Sequence, residues 1–166
     1  MGTVAERARA VRCLVLDVDG VLTDGKLYVA PDGSEWKAVN VRDGLGLKML
    51  MRAGLEVAIV SGRPSEAMRH RFQDDLGIRH LWLGVEDKQP VFEALMKTLQ
   101  LSETQMAVMG DDVPDVPLMR RAGLALTVAD AHPQALAVAH WTSRLPGGHG
   151  AVREAVDLIL AAQGCA

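Results

Sequence analysis

The chain has few cysteines, no long apolar run and no excess of positive charge, and each shortage excludes a class of protein. Cys13 lies in an apolar segment and Cys165 near the chain end, which suggests no disulfide framework and fits a reducing compartment. No apolar run approaches the roughly 20 residues that cross a bilayer, and the segment with Glu6, Arg7 and Arg9 lacks the apolar centre of a signal peptide. Because the formal net charge is −3, no nucleic acid is expected as a partner. We therefore expect a cytoplasmic protein with no membrane or nucleic-acid partner.

Predicted strands and helices alternate along the chain. With 166 residues, 49% hydrophobic and 23% charged, the composition is that of one globular domain with a substantial core, residues 1–166. Alternation of this kind predicts an α/β fold, a three-layer Rossmann-like arrangement with a mostly parallel sheet and helices on both faces. Strands are predicted at 11–16, 56–60, 80–83, 105–109, 124–128 and 140–142, and helices at 43–53, 64–75, 88–99, 116–122, 133–139 and 153–162. Asp43 is the predicted N-cap of the first of these helices.

Two segments depart from this alternation. Residues 26–29 and 35–39 flank the turn sequence Pro31-Asp32-Gly33-Ser34 and have faces of mixed polarity, which predicts a β-hairpin that projects from the domain as a flap over about 24–40. Four residues of the tail (146–166), Gly147-Gly148-His149-Gly150, predict a flexible hinge before the last helix.

Two acids follow the first predicted strand. Asp17 and Asp19 end an apolar run, and the chain turns at Gly20, so both carboxylates can converge beyond the carboxyl end of the strand. Buried like charges require a bound cation or a shared proton. The alternative is a solvated Asp/Gly turn.

Further polar residues follow other strands, where parallel sheets bind their ligands. Ser61 follows one strand, the acids Asp111, Asp112 and Asp115 follow another, and Lys88 begins a helix. This set predicts a magnesium-dependent phosphoryl-transfer site, with Asp17, Asp111 and the Asp19 carbonyl oxygen as metal ligands.

Each side chain has a predicted role at this site. Asp17 attacks phosphorus, and Asp19 protonates the leaving alcohol and then activates water. Lys88 and Ser61 hold the transferring group. Asp112 and Asp115 either orient metal-bound water and Lys88 or are solvated acids at a helix N-terminus.

Four segments that contain these residues resemble, in their order along the chain, the four motifs of the haloacid dehalogenase superfamily. They are Asp17-Val-Asp19-Gly20-Val-Leu-Thr23, Ser61-Gly62-Arg63, Lys88, and Gly110-Asp111-Asp112-Val-Pro-Asp115. The resemblance implies the same roles for Asp17, Asp19, Ser61, Lys88 and Asp111, and Mg²⁺ as the cofactor.

A closer resemblance is to the cap-less branch of phosphatases that act on 3-deoxy-D-manno-octulosonate 8-phosphate in lipopolysaccharide synthesis. It rests on segments 24–25, 40–44, 129–131 and 147–154. That branch implies a homotetramer in which the hairpins pack together and a neighbouring subunit helps to close each site. The substrate contacts it implies, beside Asp19 and Lys88, are Asn40, Val41, Arg42, Asp43, Gly44, Lys48, Arg63 and Arg71. Lys48 stands where the branch often has arginine.

Other interpretations stay open at this point. Relatives that act on nine-carbon sialic-type sugar 9-phosphates share all four motifs, and a phospho-accepting receiver module also gathers acids and a lysine at parallel strand ends, although in another order. A catalytically silent scaffold is a third alternative, but no motif residue is missing. The apolar residues of the hairpin could also fold back on their own domain instead of forming an interface.

Overall fold

A computed structural model describes residues 2–165 and confirms the α/β fold. Three short helical turns are not of the α type: a π-helical turn at His70–Asp75 and 3₁₀ turns at Glu103–Gln105 and Val113–Asp115. The helices and strands are, in chain order, α1 (Val4–Ala10), β1 (Cys13–Leu16), β2 (Tyr28–Val29), β3 (Glu35–Trp36), α2 (Val41–Arg52), β4 (Glu56–Ser61), α3 (Glu66–Arg69), β5 (His80–Leu83), α4 (Gln89–Leu99), β6 (Met106–Met109), α5 (Val116–Arg121), β7 (Leu124–Thr127), α6 (Pro133–Val138), β8 (Trp141–Thr142) and α7 (Ala151–Ala162).

The sheet has six strands in the order β5-β4-β1-β6-β7-β8, and every neighbouring pair is parallel. The chain moves outward from β1 to β4 and β5, then crosses to β6 on the other side of β1. The connections reverse direction at β1, and in open α/β sheets this switch point opens a cleft beyond the carboxyl ends of the strands.

Burial of the central strands shows that both faces of the sheet are covered. All residues of β1, β6 and β7 are buried, as expected for strands between two helix layers. Helices α1 and α2 both pack on α7, whereas α5 packs on both α4 and α6. The apolar residues of strands and helices form one continuous core.

Local details differ from the sequence predictions at several helix ends. Helix α1 was not predicted; a capping box between Thr3 and Glu6 begins it. Helix α2 begins earlier than expected, because Asn40 rather than Asp43 accepts the capping hydrogen bond, from the Arg42 amide. The predicted helix at 64–75 is split into α3 and the π-helical turn.

The predicted hairpin is present as the antiparallel pair β2 and β3, with Tyr28 opposite Trp36. Three of its apolar side chains lie on the surface of the single chain: Tyr28, Val29 and Trp36 are 57%, 64% and 72% exposed. Within residues 2–165, no helix is long and apolar enough to span a membrane.

Candidate active site

The loop after β1 brings the first acidic pair to the switch point of the sheet. The Asp17 amide donates to the carbonyl of Met109 on β6 at 3.1 Å, which extends the ladder by one residue. Gly20 then adopts φ +91°, and a Cβ atom there would collide with the Asp111 carboxylate. Glycine is therefore required at this position both for the backbone conformation and for close approach to Asp111.

Thr23, the last residue of the first motif, holds this loop in shape. Its side chain is fully buried, and its Oγ1 accepts hydrogen bonds from the Gly20 amide at 3.3 Å and the Gly25 amide at 3.2 Å. A buried hydroxyl with backbone partners fixes the turn without exposing backbone groups. Thr23 thus supports the site through the loop that carries Asp19.

Lys88 lies at the centre of the acidic cluster. Only 6% of this residue is exposed, and its Nζ donates to Asp17 Oδ1 and to Asp115 Oδ1, each at 2.7 Å. Asp115 Oδ2 in turn accepts from the amides of Asp111 and Asp112 at 3.2 and 3.4 Å. Asp115 therefore holds both the Lys88 ammonium and the backbone of the loop after β6.

The carboxyl groups of Asp17 and Asp111 are partly buried, and the positive charge nearby is not sufficient to balance them. Burial, followed by the charge of Asp115, raises the pKa of Asp17 to about 6 despite the opposing effect of Lys88. Burial, followed by the charges of Asp17 and Asp115, raises the pKa of Asp111 to about 8. Two neighbouring carboxylates that are both ionised repel each other and are destabilised unless a cation binds between them.

These carboxylates can hold a divalent cation. One oxygen each of Asp17, Asp111 and Asp115 lies within 4.8 Å of the others. Asp111 Oδ1 is buried and has no hydrogen-bond partner among residues 2–165. An unsatisfied buried carboxylate oxygen beside two further acids is a donor set suited to Mg²⁺, which prefers oxygen ligands.

The cleft next to this cluster has a volume of about 310 Å³. Ser61, at the end of β4, is 2% exposed, and its Oγ accepts from the Arg63 amide at 3.3 Å. The structure thus brings the predicted residues of all four motifs to one cleft. Its lining residues are Asp17, Asp19, Ser61, Gly62, Arg63, Val85, Glu86, Lys88, Asp111, Asp112, Pro114 and Asp115.

The hairpin supplies two contacts that the sequence did not predict. Glu35 accepts from Arg63 Nη2 at 2.8 and 3.1 Å. Lys37 Nζ lies 2.6 Å from Asp19 Oδ1, an ion pair whose geometry is not that of a hydrogen bond. Glu35 and Lys37 are two residues apart, so in an extended chain they share one face, which was the available signal.

The other predicted substrate contacts do not line this cleft. Val41 is 75% exposed and Arg42 is also exposed, whereas Lys48 and Arg71 are half-buried. A Cβ atom on Gly44 would lie 2.8 Å from Arg71 Nη2. Gly44 on α2 and Arg71 on the π-helical turn therefore pack against each other.

Asn40 and Asp43 have structural contacts in the single chain. Asn40 Nδ2 donates to the Gly148 carbonyl at 3.4 Å. Asp43 is 1% exposed, and its Oδ1 accepts from the Arg153 amide at 2.8 Å, at the start of α7. Asp43 therefore caps α7 instead of α2, and burial raises its pKa.

The glycine segment before α7 packs tightly against the active-site loop. The Gly148 amide donates to the Val21 carbonyl at 3.0 Å, and the Gly147 amide to Asp130 Oδ1 at 3.0 Å. A Cβ atom on Gly147 would collide with the Gly20 carbonyl. The glycines that predicted a hinge are thus needed for close approach to the active-site loop.

Comparisons with known proteins agree with this geometry. Residues 85–153 match the family model of haloacid dehalogenase-like hydrolases. The 3-deoxy-D-manno-octulosonate 8-phosphate phosphatase of Yersinia pestis is 47% identical over 160 residues, which cover 96% of this chain and 85% of that protein. A crystal structure of the phosphatase of that name from Yersinia pestis superimposes with a TM-score of 0.95 at 46% identity, covering 98% of this chain and 87% of the other.

A relative from another organism was solved with ligands. The phosphatase of the same name from Moraxella catarrhalis, in complex with magnesium, phosphate and KDO, superimposes with a TM-score of 0.93 at 39% identity, covering 97% of this chain and 92% of the other. Family model, sequence and structure therefore converge on one assignment. This chain belongs to the haloacid dehalogenase-like hydrolases, in the family of the 3-deoxy-D-manno-octulosonate 8-phosphate phosphatases.

Proposed function

We propose that this protein is a Mg²⁺-dependent phosphomonoesterase that hydrolyses 3-deoxy-D-manno-octulosonate 8-phosphate in the cytoplasm, for lipopolysaccharide synthesis. The observation that carries the proposal is Lys88 bridging Asp17 and Asp115 beside the unpartnered oxygen of Asp111. This arrangement occurs in a chain that is 47% identical to the 3-deoxy-D-manno-octulosonate 8-phosphate phosphatase of Yersinia pestis. The names of these relatives favour the eight-carbon substrate over a nine-carbon one.

The residues that would hold Mg²⁺ are Asp17 and Asp111, with the backbone carbonyl of Asp19. Asp115, the third acid of the cluster, is not included, because its two oxygens already accept hydrogen bonds from Lys88 and from backbone amides. When bound, the ion supplies positive charge that offsets the repulsion between a phosphate ester and the acidic cluster. Lys88 supplies a further positive charge to the transferring group, and Asp115 keeps its ammonium in place.

The proposed reaction has two half-reactions, and both use side chains of the cleft. Asp17 attacks phosphorus and forms an aspartyl-phosphate, while Asp19 gives a proton to the leaving sugar oxygen. Water then hydrolyses the aspartyl-phosphate, and Asp19 takes up its proton. Ser61 and nearby backbone amides donate hydrogen bonds to the phosphoryl oxygens.

We further propose a homotetramer in which a neighbouring subunit completes each site. Arg63 is the one positively charged substrate-contact candidate, apart from Lys88, on the cleft of the single chain. Arg42 and Val41 are exposed outside it, close in sequence to Leu45, which is 49% exposed. Together with the apolar hairpin surface, this exposure fits a contact with another subunit, which could present Arg42 to the substrate carboxylate.

The function is tested with a panel of sugar phosphates in the presence of Mg²⁺. We expect kcat/KM to be highest for the eight-carbon acid 8-phosphate, and Asp17→Asn to abolish turnover while the fold is retained, because it removes the nucleophile at constant volume. A higher kcat/KM for a nine-carbon 9-phosphate would contradict the substrate assignment. A single phosphorylation without repeated phosphate release would instead indicate a receiver module.

Sedimentation velocity tests the assembly separately. We expect tetramers for the wild-type protein and smaller species for Trp36→Lys, since this side chain is 72% exposed in the single chain. A stable monomer with full activity would contradict closure of the site by a neighbour.

A further inference from the structure

The ion pair between Lys37 and Asp19 links the hairpin to the active site. The side chain of Lys37 is only 4% exposed and that of Asp19 is 21% exposed. Among residues 2–165, the only carboxylate within 4.0 Å of the Lys37 ammonium is that of Asp19. Because a buried ammonium is destabilised without a partner, the position of Lys37 depends on Asp19.

The pair also fixes which part of Asp19 faces the cleft. Asp19 Oδ1, the atom next to Lys37, is buried. The exposed part of the side chain therefore belongs to its other atoms, and Asp19 lines the cleft. Proton exchange with a substrate or water is thereby left to Oδ2.

We propose that Lys37 is a positioning residue for the phosphatase reaction: its ammonium group holds Oδ1 of Asp19, so that Asp19 exchanges protons with the leaving group through Oδ2. This inference rests on the proposed function, in which Asp19 is the general acid and base. It assigns to the hairpin a part in the chemistry in addition to a part in subunit contact.

Proton transfer to the leaving group is the step that depends on this position of Asp19. As the ester P–O bond breaks, its electron pair stays on the sugar oxygen, the proton of Asp19 moves to that oxygen, and Asp19 becomes a carboxylate. An Asp19 carboxyl group that is not held in this orientation delivers the proton less readily, so loss of the Lys37 contact impairs this step. The effect is largest for a leaving group that is a poor anion, such as a sugar alkoxide, and smallest for a nitrophenolate.

The test measures kcat/KM for a series of substituted phenyl phosphates and for the sugar phosphate, with Mg²⁺. Lys37→Met removes the ammonium at similar length, Lys37→Arg keeps the charge, and Asp19→Asn removes the acid. Glu35→Gln is the matched control, because it removes the charge of a different ion pair of the hairpin, the pair with Arg63, and leaves Lys37 in place. Circular dichroism and sedimentation check that each variant keeps its fold and assembly.

We expect Lys37→Met to lower kcat/KM for the sugar phosphate by roughly 10- to 100-fold and for nitrophenyl phosphate by less than about threefold. Its rates should depend more steeply on the basicity of the leaving group, Lys37→Arg should restore most of the wild-type slope, and Glu35→Gln should leave the slope unchanged. If Asp19→Asn steepens the slope but Lys37→Met lowers all substrates equally, Lys37 only holds the hairpin and the inference is wrong. An unchanged slope for Asp19→Asn would instead contradict the acid role in the proposed function.

Discussion

Replacing Asp111 by asparagine is expected to stabilise the metal-free protein at neutral and alkaline pH, although it removes a proposed metal ligand. Burial and the charges of Asp17 and Asp115 raise the pKa of Asp111 from 3.8 to about 8. The folded protein therefore binds more protons than the unfolded chain between these two values. In that interval the free energy of unfolding falls as the pH rises, and below it both states are protonated and the effect disappears.

The size of the effect follows from the same shift. One pKa unit corresponds to about 1.36 kcal/mol, but Asp111 is partly exposed, so solvent screening reduces the full value considerably. We expect Asp111→Asn to raise the free energy of unfolding by about 1–2 kcal/mol near pH 8 and by little near pH 4, since asparagine does not titrate. A gain of this size raises Tm by about 2–8 °C for a domain of this length.

The assay is urea unfolding in EDTA at several pH values, repeated with Mg²⁺. Wild-type protein should gain stability from Mg²⁺, most strongly at high pH, whereas Asp111→Asn should gain much less. Asp112→Asn is the control, because this carboxylate is exposed, accepts from the Val113 amide at 2.7 Å, and makes the smallest contribution of the three neighbouring acids to the raised pKa of Asp111. If Asp111→Asn is no more stable than wild type at pH 8 in EDTA, the account of the acidic cluster is wrong.

Further predictions concern the lysine at the centre of the site, the substrate carboxylate and the glycine segment. Lys88→Met should lower unfolding free energy in EDTA by about 3–5 kcal/mol, because it leaves buried carboxylates unpaired, and a second substitution, Asp115→Asn, should recover part of this loss in a double-mutant cycle. Arg42→Ala should raise KM for the acidic sugar phosphate roughly tenfold or more, through loss of a charged hydrogen bond, but leave KM for p-nitrophenyl phosphate nearly unchanged; equal effects on both substrates would remove Arg42 from carboxylate recognition. Gly147→Ala should destabilise the fold by about 1–3 kcal/mol in thermal unfolding, because its Cβ would overlap the Gly20 carbonyl.

Agreement between sequence and structure is closest where the determining residues are near one another in the chain. The apolar run before Asp17 predicted β1, and the turn sequence at Pro31–Ser34 predicted the hairpin. Asp43 shows the limit of local reasoning: it looked like the cap of its own helix, but its carboxylate caps α7, which begins more than a hundred residues later. No local pattern distinguishes these two uses of a buried aspartate.

The sequence by itself determined the order of strands and helices and the placing of the motif residues Asp17, Ser61, Lys88 and Asp111, because side-chain periodicity and turn residues act over a few positions and parallel strand ends meet at one edge of a sheet. Only the tertiary structure decided that Lys37 reaches Asp19, that Gly147 lies against the active-site loop and that Arg42 lies outside the cleft. Such contacts join segments far apart in the chain, and their geometry depends on how whole layers pack.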